Sequence, residues 1–263
     1  MRWLELADTA LRYDVSGNGP TTLVLVHEMG GTLESWDHVL PMLNQARQVL
    51  RYDTRGAGQS EKMQGTANID AMADDVAGLL AALGIIGKVA IAGCAVGGAI
   101  ALNFAHRHAD RTAALVAMGP ALSIPEDRRV TALQAADALE ASGMRAVVDA
   151  SLARSYPPQV RFNAAHYQEF RARWLANDPR SYAAINRMLA GMELNPICKQ
   201  VQCPVLLMAG THDPLRPPSL IAPLVGAFRD ARFVEIEAGH FMAVQAPEVV
   251  AAAFNDFLLP LQL

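Results

Sequence analysis

With 263 residues, 52% of them apolar, and a formal charge of −4, the chain can bury a large core and has no electrostatic reason to bind nucleic acid. No apolar run approaches the roughly 18 residues of a membrane span, and the charged, alternating start MRWLELADTALRYDV is not the pattern of a signal peptide. Cys94, Cys198 and Cys203 make no disulfide framework, so reduced thiols, a cytoplasmic setting and no bound metal are expected.

Leu11–Val15 alternates in polarity and ends at the turn cluster Ser16-Gly17-Asn18-Gly19-Pro20, which predicts an antiparallel edge strand. Short, unbroken apolar runs follow at Thr22–His27, Val49–Asp53, Lys88–Ala92, Ala113–Met118, Val205–Ala209 and Arg232–Ile236. Continuous rather than alternating character is expected of strands buried on both faces of a parallel sheet. Between them, Ile69–Leu83 carries apolar residues at a 3.6-residue spacing, and Val96–His106 is small and apolar, as a helix pressed on a sheet should be. From about residue 122 to 192 the alternation stops, and only helical segments are expected. Pro217-Pro218 predicts a helix over Ser219–Phe228, and Ala246-Pro247-Glu248 opens a last helix to Leu258. Strands alternating with helices imply right-handed crossovers and a doubly wound sheet. The helical stretch is expected to lie over the carboxyl edge of that sheet, where open α/β sheets bind ligands.

Four sequence features could carry chemistry. Gly93-Cys94-Ala95-Val96-Gly97 stands between a strand and a helix, in the small-x-nucleophile-x-small pattern of a nucleophile elbow. The glycines put Ala95 at the apex, because an apex at Cys94 would place branched Val96 where a small residue is required. Gly210-Thr211-His212-Asp213 follows one buried strand, and Glu237-Ala238-Gly239-His240-Phe241 follows the last. The order nucleophile position, acid, base is that of an α/β-hydrolase triad, with Asp213 orienting His240. His27-Glu28-Met29-Gly30-Gly31 ends the first buried run, where the backbone N–H groups of Met29 and Val96 would converge on an oxyanion.

Together with Asp53-Thr54-Arg55-Gly56-Ala57-Gly58-Gln59-Ser60, these motifs resemble the α/β-hydrolase superfamily along the full chain, and most of all small hydrolases of the 3-oxoadipate enol-lactonase type. The weaker link is the segment Trp174–Tyr182. The resemblance implies an α/β-hydrolase core at 1–121 and 193–263, a helical cap at 122–192, and a cofactor-independent enzyme for a small ester, lactone or activated amide. Two positions depart from the family pattern: Ala95 stands in place of serine, and Glu28 in place of the glycine after His27.

Several residues have a plain reading beside a sharp one. His27 is expected in the core, Asp53 and Arg55 in holding their turn, and His106, His108 and His212 at the surface. Cys94 and Trp36 are expected as packing. Glu28 is either a solvated loop charge or a substrate contact, and Trp174 and Phe241 are candidate pocket walls. An alanine apex admits two accounts. A hydrolase whose serine has been replaced is favoured, because every other part of the machinery is kept. Alternatively the chain is a natural non-hydrolytic member, either a ligand-binding sensor or a lyase or oxygenase using His240 as base. Carbon–carbon bond hydrolysis is a third option. A small-molecule substrate is the expected partner, and oligomeric state has no signature in the sequence.

Overall fold

The computed structural model describes residues 2–43 and 47–263. Among them, eight strands form one sheet: β1 (Arg2–Glu5), β2 (Ala10–Ser16), β3 (Thr21–Val26), β4 (Arg47–Tyr52), β5 (Val89–Cys94), β6 (Thr112–Met118), β7 (Val205–Gly210) and β8 (Ala231–Ile236). The spatial order is β1-β2-β4-β3-β5-β6-β7-β8. Pairing is antiparallel at β1–β2 and β2–β4 and parallel from β4 to β8.

The helices are α1 (Ile69–Ala82), α2 (Val96–Arg107), α3 (Glu126–Ser142), α4 (Met144–Ser155), α5 (Ala164–Leu175), α6 (Pro179–Gly191), α7 (Pro218–Ile221), α8 (Met242–Gln245) and α9 (Pro247–Leu258). Local chemistry sets several of their starts. The Asn68 side chain accepts from the Asp70 and Ala71 N–H groups at the head of α1, and Asp178 accepts from Ser181 N–H at the head of α6. Such caps satisfy backbone donors that a helix start leaves orphaned.

The continuous apolar runs have the cause expected of them. Val24, Val26, Leu50, Ile91, Leu115 and Leu207 face one side of the sheet, toward α1 and α2. Leu23, Leu25, Val49, Ala92, Val116 and Leu206 face the other, with Trp36 and Phe254, Phe257 and Val250 of α9. Alternate residues along each strand are therefore buried in different layers.

Two expectations change. The antiparallel strand at Leu11–Val15 exists as part of β2, but the edge is β1, four mostly exposed residues too short to announce themselves. Ser219–Phe228 is not one helix. The α-helical turn α7 gives way to a 3-10 segment, Ala222–Ala227, because Pro223 lacks an N–H and crowds the preceding turn.

Between β6 and β7 the chain forms α3 to α6 and contributes no strand to the sheet. This helical layer has its own apolar cluster, including Leu139, Val148, Leu152, Tyr156, Phe170 and Trp174, joined by Phe241 from the loop after β8 and Val244 of α8. It also touches the core away from the cavity, where the rings of His38 and His166 stack with centroids 3.9 Å apart.

Burial and the neighbouring His38 lower the His166 pKa, Arg173 adds to this, and Glu169 and Glu248 oppose it. A folded-state value below the unfolded one means the unfolded chain binds the proton more readily. Stability is therefore full above about pH 6.5 and falls as pH drops toward the folded value. Because the ring is partly exposed, a loss of about 2 °C in Tm between pH 7.5 and 5 is expected from this pair. His166→Asn should flatten that part of the slope in thermal melts; parallel curves for the two proteins would dismiss the pair as a pH-sensitive contact.

Candidate active site

Three loops at the carboxyl ends of β3, β5 and β8, with the turn after β7, meet beneath the helical layer. The β5–α2 turn is fixed by its glycines. A Cβ on Gly93 would lie 2.1 Å from the Gly97 carbonyl oxygen, and one on Gly97 would lie 2.3 Å from the Val26 oxygen. Only hydrogen fits at either place, which sets the register of the turn and leaves Ala95 at its apex. Ala95 has φ 54° and ψ −113°, a strained conformation for a residue with a side chain. Backbone hydrogen bonds hold it there: its N–H donates to Met118 O at 2.9 Å, and its carbonyl accepts from Ala99 and Ala121 N–H.

His240 and Asp213 are brought together from the ends of β8 and β7. His240 Nδ1–H donates to Asp213 Oδ2 at 2.7 Å. Asp213 Oδ1 accepts from the Leu215 and Arg216 backbone N–H groups at 2.8 and 3.1 Å, so both carboxyl oxygens are engaged. Burial pushes the Asp213 pKa upward, but the hydrogen bond and charge of His240, with the two N–H donors, outweigh it and hold the carboxyl below its usual value. The tautomer that donates through Nδ1 leaves Nε2 free to accept.

A cavity of about 500 Å³ is lined by Ala95, His240, Met29, Val96, Trp174 and Phe241, among others. The Met29 and Val96 backbone N–H groups have no acceptor among the described residues. The cavity therefore gathers a ring nitrogen able to take a proton, two residues with uncommitted N–H donors, and the apex residue Ala95. Such an arrangement can stabilise an oxyanion and move a proton.

Glu28 is the exception among the candidate site residues. It is fully buried, so it is no solvated charge, and it does not line the cavity. Its Oε1 accepts from Ser35 Oγ at 2.7 Å, and Oε2 has no partner. His27 is also buried and ties two loops: Nδ1–H donates to Glu28 O at 2.7 Å, and Nε2 accepts from Thr54 N–H at 3.0 Å. His212 is exposed, whereas His108 is half-buried and pairs with Asp74. Asp53 and Arg55 serve their turn, Arg55 through ion pairs to Asp75 and Asp8.

Cys94 points away from the cavity, and its Sγ–H donates to the His240 carbonyl at 3.2 Å. Burial and then the nearby Glu28 charge push its pKa well up. The native protein should therefore leave Cys94 unmodified by iodoacetamide at pH 8 while the unfolded chain is alkylated. Peptide mapping that found Cys94 labelled at the rate of an exposed thiol would refute this orientation.

Sequence reasoning missed Arg154 and Arg216, which also line the cavity. Arg216 lies three residues after Asp213, inside a motif already singled out; Arg154 sits on α4 in a segment without any motif. It also missed that the Ser155 carbonyl accepts from the His240 N–H at 3.0 Å and from Gln245 Nε2 at 2.9 Å.

Residues 19–236 match the profile of the family described as serine aminopeptidase, S33. A protein of Azorhizobium caulinodans named as a carbamate hydrolase is 31% identical over 257 residues, covering 96% of this chain and 94% of that protein. The 3-oxoadipate enol-lactonase 1 of Acinetobacter baylyi is 26% identical over 249 residues, covering 93% and 92%. Among solved structures, the enol-lactonase of Burkholderia xenovorans superimposes with a TM-score of 0.90 at 28% identity, over 98% of this chain and 100% of that one.

Proposed function

The chain belongs to the serine aminopeptidase S33 family of α/β-hydrolases, and from that premise we propose that it is the scaffold of a hydrolase for a small ester, lactone or activated amide, with alanine where the attacking serine belongs. The observation that carries this reading is the 2.7 Å contact of His240 with Asp213 in the wall of the same cavity as Ala95. With a hydroxyl at position 95, His240 Nε2 takes its proton as the oxygen attacks the carbonyl carbon. The oxyanion rests on the Met29 and Val96 N–H groups, and the proton passes to the leaving group as its bond breaks. Water then repeats the sequence on the acyl group. The segment 122–192 acts as the cap that closes this site to solvent. With alanine at the apex the first step has no nucleophile, and triad turnover falls to a residue on the order of a millionth. The test is Ala95→Ser, read by mass spectrometry as an acyl adduct on the introduced hydroxyl after mixing with an activated ester.

A second reading has one observation in its favour. Glu28 is a second departure from the family pattern, buried beside the same loops and accommodated by Ser35. A chain changed at one position alone would carry no such companion. On this reading the site binds a ligand or uses His240 as a base on a substrate proton. An Ala95→Ser protein that binds ligand tightly but never acylates would support it.

A further inference from the structure

We propose that the cavity takes carboxylate-bearing substrates and that Arg216 and Arg154 read the charge. The inference rests on the cavity being the substrate site, as under the proposed function, and it supplies the substrate class. Both arginines line the cavity, Arg154 from the last turn of α4 and Arg216 from the turn after β7. The carboxylate nearest Arg216 in sequence, Asp213, is already engaged through both oxygens with His240 and two backbone N–H groups.

Neither guanidinium forms a direct ion pair among the described residues, and the only charge acting on Arg216 is the more distant Asp213, already held by His240. The Arg216 guanidinium donates only to the neutral carbonyls of Leu215 at 2.8 Å and Ser123 at 3.4 Å. Arg154 makes no hydrogen bond or ion pair among the described residues. By contrast, Arg12, Arg51, Arg55 and Arg187 each meet two carboxylates. Burial pushes the Arg216 pKa down, with Asp213 offsetting part of the effect. A half-buried guanidinium with no ion pair is stabilised by an anion that arrives with the substrate, and its planar donor fork suits a carboxylate. The rest of the wall includes Leu139, Val147, Trp174, Leu189 and Phe241. The matching substrate thus has an acid at one end, a short apolar chain, and an acyl group at the other.

Binding and turnover test this separately. By calorimetry, glutarate should bind the unmodified chain, more weakly at higher salt, while dimethyl glutarate binds at least about tenfold less well. Arg216→Gln should weaken glutarate by about tenfold or more, and Arg216→Lys by less. In the Ala95→Ser background, mono-4-nitrophenyl glutarate should be preferred to 4-nitrophenyl pentanoate. Arg216→Gln should erase that preference by raising KM for the charged ester far more than it lowers kcat. Failure of Ala95→Ser on both esters would count against the proposed function alone, because calorimetry still decides the anion. Absence of glutarate binding, equal binding by Arg216→Gln, or preference for the neutral ester would overturn the inference. If Arg216→Gln does not fold, the same comparisons are made with Arg154→Gln, whose exposed side chain makes no hydrogen bond or ion pair among the described residues.

Discussion

The Ala95→Ser protein is expected to hydrolyse p-nitrophenyl acetate at least about a thousandfold faster than the chain with alanine, and His240→Ala in that background should return it to the starting level. The magnitude follows from what is missing and what is present. Removing the serine from a complete triad costs on the order of a millionfold, and restoring it recovers only as much as the remaining geometry allows. That geometry is largely assembled: His240 is oriented by Asp213, two N–H donors are uncommitted, and the apex already holds a positive φ. Serine adds one oxygen to a methyl that faces the cavity, and the elbow is held by main-chain contacts that the substitution leaves alone. Measured turnover within tenfold of the parent would sink the hydrolase reading and leave the binding or His-base reading.

The next largest effect is on stability. Asp53→Ala should cost about 3–5 kcal/mol, or a fall in Tm of roughly 10 °C. Asp53 is completely buried at the end of β4. Its Oδ1 accepts from Leu33 N–H at 2.8 Å, and its Oδ2 accepts from Gln59 N–H at 2.8 Å and Arg12 Nη1 at 3.1 Å. Removing the carboxylate orphans the buried Leu33 N–H, frees the part-buried Gln59 N–H, and takes one of the carboxylates from a nearly fully buried Arg12. Gly58 belongs to the same device: a Cβ there would sit 2.1 Å from Asp53 Oδ2, so the turn wraps the carboxylate too closely for any side chain. Asp53→Asn keeps the shape and should cost less. Melting of Asp53→Ala within 3 °C of the parent would show that the turn does not depend on this anion.

The parts legible in the sequence are those governed by local rules. Strands buried on two faces read as unbroken apolar runs, and the elbow reads from glycines whose missing Cβ atoms are required by backbone oxygens under 2.5 Å away. Asp213 and His240 are recognisable because each follows a strand whose end lies at one rim of the sheet. What could not be read depends on distant packing. Glu28 sits in a loop where sequence allows either solvent or substrate, and only its partner Ser35, seven residues on, shows that it is interior. Arg154 is an ordinary charged helix residue until the fold turns α4 toward the cavity. The short edge β1 and the break of the helix at Pro223 are small features that propensity over a window averages away.

Two of the contacts that moor the helical layer to the core reach the residues around Ala95. Trp174 lies so close over Gly30 that a Cβ there would be 2.4 Å from its ring, and Asn177 Nδ2 donates to the Gly30 carbonyl at 2.9 Å, one residue beyond Met29. The Ser155 carbonyl holds the backbone of His240 itself. A displacement of this layer pulls on the Met29-Gly30 loop and on His240 together. Layer, loop and ring are thus one mechanical unit, and a substitution far out on α4 or α5 that shifts the layer is expected to shift His240 without touching it.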